Sequence, residues 1–131
     1  MIRISASLRR AAGCAALALA AQSAGAQSIL DFDIWMQKID ASSQSFFRNL
    51  ARRDVQAGAA DARELARLYR LMEGYYEKRG NADDAVLSSY FGREKAADAA
   101  RALEGKDFDT AFAAVTDIAR DCPNCHRYKP L

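Results

Sequence analysis

From residue 29 onward, apolar positions recur every three or four residues. Ile29, Phe32, Met36, Ile39, Phe46 and Leu50 make one stripe, with Asp33, Lys38 and Asp40 between them. That spacing predicts a first helix over about residues 29–52. The small residues of "DVQAGAAD", 54–61, then predict a loop. In "ARELARLYRLMEGYYEKRG" the stripe resumes at Leu65, Leu68, Met72 and Tyr75 or Tyr76 as a second helix. Lys78 and Arg79 suit its negative end. Gly80 offers the left-handed conformation that closes it, and Asn81 offers a cap for the third. The third helix is expected from about Ala82 to Glu104, through Val86, Leu87, Tyr90, Phe91, Ala97, Ala100 and Leu103. Its Gly92 is about 1 kcal/mol worse than alanine inside a helix, and it permits close approach of a neighbour. Gly105 and Asp107 repeat the stop and the cap. Phe108, Ala111, Phe112, Val115, Ile118 and Ala119 then carry a fourth helix. Nothing alternates with period two, and the two later connections are short. The expected fold is all-α, an antiparallel up-down four-helix bundle.

The N-terminal segment changes the picture. Arg3, Arg9 and Arg10 precede an apolar run from Ala11 to Ala21, followed by Ala24-Gly25-Ala26. This is the pattern of a secretory signal peptide, residues 1–26, cleaved after Ala26. The run is much shorter than the roughly 20 residues that span a bilayer, so no membrane anchor is expected. Cys14 belongs to that segment. Residues 27–131 remain as one domain with one modest core. The signal takes three of the 19 basic residues and none of the 17 acidic ones, so the formal charge of +2 becomes −1 for the remainder, 16 basic residues against 17 acidic. The remainder lacks the basic footprint of a nucleic-acid binder.

Candidate chemistry concentrates at the other end. "ARDCPNCHRYKPL" holds Cys122, Cys125, the only histidine, His126, and both prolines. Continuing the fourth stripe from Ile118 brings Cys122, then Cys125 or His126, to the core-facing side. Cys-x-x-Cys-His is the attachment motif of c-type haem. Two thiols on one helical face can reach the two vinyl groups of one porphyrin, and the adjacent imidazole can bind the iron. Zinc needs four protein ligands, and beyond these three residues only carboxylates remain. A redox dithiol normally opens a long helix, whereas here a helix precedes the motif and five residues follow it. A disulfide between Cys122 and Cys125 would close a very small ring with little entropic gain. Pro123 lacks an amide hydrogen and predicts a kink or restart of the helix.

A fourth helix ending in "CPNCHRY" near the end of an exported four-helix chain resembles the class II cytochromes c, the cytochrome c′ group. The resemblance covers residues 29–131 in architecture and implies one covalent haem c on Cys122 and Cys125. It also implies His126 as the proximal iron ligand, and a first-helix residue over the other haem face. Met36 in "FDIWMQKI" resembles the methionine of the low-spin members. Met72 is the only other methionine outside the leader, and either could instead be ordinary core. Thioether ligation gives six-coordinate iron suited to electron transfer. An empty sixth position would make a pocket for nitric oxide or carbon monoxide. A peroxidase would need polar distal groups, and no second histidine exists, so an enzyme is not expected. The expectation is a periplasmic electron carrier serving redox partner proteins, with a homodimer through the first two helices implied by the resemblance. Phe32, Trp35, Phe46, Tyr90, Phe91 and Phe112 are candidates for haem walls or for plain core.

Overall fold

The computed structural model describes residues 28–126, and the expected signal peptide lies outside them. Four helices follow one another: α1 (Ile29–Ala51), α2 (Val55–Arg79), α3 (Asp83–Glu104) and α4 (Phe108–His126). No strand occurs among the described residues. Consecutive helices pack side by side, α2 against α3 most extensively, and the chain returns so that α4 lies beside α1. The expected four-helix bundle is what forms, because three connections this short leave each helix no partner but its neighbours.

Three of these helices start where a side chain can satisfy their free amides. Ser28 opens α1 with a reciprocal cap: its hydroxyl accepts from the Asp31 amide at 3.2 Å, and the Asp31 carboxylate accepts from the Ser28 amide at 2.9 Å. Asp54 caps α2 by accepting from the Ala57 amide at 3.0 Å. The loop expected over 54–61 is therefore helix from Val55 onward. Alanines at 57, 59 and 60 favour that outcome, and Gly58 is kept in the helix by packing, since a Cβ there would lie 2.8 Å from Leu103 Cδ1.

The turn after α2 also differs from expectation. Gly80 has a positive φ of 70°, but Asn81 is itself left-handed at φ 51° and does not cap α3; Ala82 stands at the N-cap position with no side-chain bond. Asp83 and Asp84 in the first turn of α3 oppose the positive end instead. After α3, Gly105 has φ −81°, and Lys106 takes the left-handed place at φ 59°. Asp107 does cap α4, accepting from the Thr110 amide at 3.0 Å.

Pro123 does not break α4, which continues to His126. Proline removes only the bond to the Ala119 carbonyl, and Ala119 is exposed, so water can replace it.

The core is built from Phe46, Leu65, Leu68, Met72, Tyr76, Leu103, Val115 and a run of alanines on α3. Tyr76, not Tyr75, is the fully buried member of its pair. Leu87, Tyr90 and Phe112 lie on the expected stripes yet are 66%, 45% and 52% exposed, because the buried face of each helix is narrower than its apolar stripe. No helix of the described residues is long and apolar enough to cross a membrane.

Candidate functional site

Residues from all four helices meet at one level of the bundle. The antiparallel path brings the first third of α1, the middle of α2, the first half of α3 and the end of α4 together. Lys95 Nζ on α3 donates to Asp117 Oδ2 on α4 at 2.9 Å and fixes the register of that pair. Close packing of α2 on α3 is set by Gly92, whose missing side chain makes room for the Tyr69 ring; a Cβ would lie 2.6 Å from two ring atoms. The close approach that Gly92 permits is made here by Tyr69.

Two hollows open here and share Met36, Tyr69, Ile118, Cys122 and His126. The narrower one, about 20 Å³, runs inward from those residues to Met72 on α2 and to Ser88, Phe91 and Gly92 on α3. The wider one, about 350 Å³, lies between α1 and α4 with Ile39, Asp40, Ser43 and Ala119 on its walls. It exists because α1 and α4 touch each other least among neighbouring helices.

The sequence-predicted residues gather at this place. Met36 is partly buried and Cys122 half-buried, and His126 is exposed at the mouth. The backbone of Cys125 belongs to α4, while its side chain lies outside the described part of the structure. Of the aromatic candidates for the walls, Phe91 lines the narrower hollow. Phe32 and Phe46 are buried elsewhere in the core, and Phe112 packs its ring on Phe47 at 5.6 Å.

The electrostatics follow from burial and two carboxylates. Burial pushes the Cys122 thiol above its ordinary pKa, and the negative charges of Asp121 and Asp40 push it the same way. Its sulfur lies 3.7 Å from the Ile118 carbonyl oxygen. Asp121 is held in turn by the Asn124 amide, which donates to it at 2.6 Å. Among the described residues no three of His, Cys, Asp and Glu converge on a metal position.

Met72 stands out in the sequence only as the second methionine, and Ser88 does not stand out at all. Ser88 and Ser89 are adjacent and buried, and Ser89 turns its hydroxyl back to donate to the Ala85 carbonyl at 2.7 Å. The signal for both cleft positions is the helical repeat: Leu68 stands four residues before Met72, and Ser88 four before Gly92, so each pair shares a face. That repeat says "buried" and not "cleft".

No protein family, no curated protein and no solved structure matches this chain.

Proposed function

We propose that this chain is an exported, periplasmic electron carrier of the class II cytochrome c type. One haem c would be tethered through Cys122 and Cys125, with His126 and Met36 as the iron ligands. The observation that carries the reading is that Met36 and His126, from opposite ends of the sequence, line the same groove beside Cys122. Three further features support it. The groove, at about 350 Å³, falls in the range of roughly 300–1,000 Å³ that small-molecule sites occupy. Its inner wall is apolar, with Ile39, Ile118 and the Tyr69 ring, as a porphyrin face requires. The loosely joined pair α1 and α4 is also the pair that can part to admit a flat guest without dismantling the core.

The bound haem would supply a one-electron couple. The chain's own residues would hold and shield it: His126 and Met36 as iron ligands, and Ile39, Ile118 and Tyr69 as the barrier to water. A thioether opposite an imidazole raises the reduction potential, while Asp40 and Asp121 near the site oppose that rise by favouring the more positive oxidised state. Redox partner proteins would meet the chain at the open side of the groove, where His126 is exposed.

Absorption and resonance Raman spectra of the matured protein test the ligand set. Low-spin six-coordinate iron that becomes high-spin on Met36→Ala is the expected result. High-spin iron in the unaltered protein would instead favour a five-coordinate protein binding nitric oxide or carbon monoxide.

A further inference from the structure

The narrow hollow holds a methionine for which the haem reading has no use. Met72 is 2% exposed and reaches the hollow from α2, joined there by Met36 from α1 and by Cys122 and His126 from α4. Two methionines, a cysteine and a histidine therefore border a space of about 20 Å³. That is room for about one water-sized guest. The donor set is soft, and thioether with thiolate selects Cu(I) over the harder biological cations. Donors suited to zinc do not gather: among the described residues no three of His, Cys, Asp and Glu converge.

We infer that, before any haem is attached, this hollow binds one Cu(I) ion through Met36, Met72, Cys122 and His126. The step is a ligand exchange without electron transfer. Copper enters and leaves the step as Cu(I), a copper–sulfur bond forms at Cys122, and the thiol proton passes to solvent. One positive charge arrives as another departs, so the apolar surroundings gain no net charge. A thiol converted to a thioether and an imidazole bound to iron are no longer free, so copper uptake and haem attachment exclude each other.

The full chain, made in cells without haem-attachment machinery and kept reduced under anaerobic conditions, is titrated with Cu(I) against a chromophoric Cu(I) chelator. One equivalent of copper is expected to bind. Met72→Leu and Met36→Leu should each weaken it by about tenfold or more, since even outer-shell changes at metal sites cost about 10–100-fold. Leucine nearly matches methionine in volume, and circular dichroism verifies that both variants remain helical. No copper taken from the chelator would overturn the inference. So would binding unmoved by both methionine substitutions, which would assign the ion to the terminal thiols alone. Haem content is measured on a separate, matured preparation: a colourless product with Cu(I) binding intact would sink the haem reading and leave the copper site standing.

Discussion

Replacing Gly92 with alanine tests how the site is held open. The added Cβ would lie 2.6 Å from Tyr69 Cδ1 and Cε1 and 2.9 Å from Cγ. Those atoms include the root of the ring, so the whole side chain must move, and Tyr69 is only 8% exposed. Overpacking of a well-filled interior costs about 1–3 kcal/mol. Three close contacts on a buried ring place this case near the upper end, at about 3 kcal/mol, against which alanine returns about 1 kcal/mol of helix propensity. The net expectation is a loss of about 2 kcal/mol, measured from urea midpoints at unchanged slope. Gly74→Ala is the control. Nothing lies within 4 Å of its Cβ position, so the same substitution in α2 should stabilise by up to about 1 kcal/mol. In a Tyr69→Ala background the Gly92→Ala penalty should shrink, because Cγ, Cδ1 and Cε1, the atoms it strikes, are gone. A Gly92→Ala protein as stable as the parent, or more so, would refute the packing account.

Other consequences are open to measurement. Asp54→Ala should cost about 1 kcal/mol and fray the start of α2, seen as faster amide exchange over residues 55–58, because the Ala57 amide loses its acceptor. The Lys95 ammonium donates to Asp117 and holds its carboxyl below the usual carboxylate range. A depressed carboxyl favours the folded state above its ordinary pKa and loses that contribution as pH falls through the lowered value, so Lys95→Met should weaken the acid-side pH dependence of stability. In an unhaemed Cys125→Ser variant, the Cys122 thiol should alkylate with a half-maximal rate at higher pH than a free cysteine peptide, since burial, Asp121 and Asp40 all favour the protonated form. A midpoint at or below that of the peptide would contradict the half-buried placement.

The fold is largely legible in the sequence because the helices carry apolar stripes at helical spacing. The start of α2 is hidden: "DVQAGAAD" looks like a loop by composition, yet its first aspartate is a cap and its alanines are strong helix formers. Pro123 misleads in the opposite sense, since α4 carries it without ending and the exposed Ala119 can offer its carbonyl to water. Stripe membership overstates burial at Leu87, Tyr90 and Phe112, because a four-helix bundle covers only part of each apolar face. For the site, extending the α4 stripe to Cys122 and the α1 stripe to Met36 is enough to aim both at one place. The placement of Met72 and Ser88 depends on the height at which α2 and α3 cross that level, and turn geometry at Asn81 and Lys106 sets that height.

The most direct test of the central claim is the intact mass and visible spectrum of the full chain made in cells able to export it and to attach c-type haem. The account predicts a red protein with a Soret band that stays with the polypeptide after denaturation, and a mass equal to the processed chain plus one haem. A colourless protein with the mass of the bare chain would contradict it.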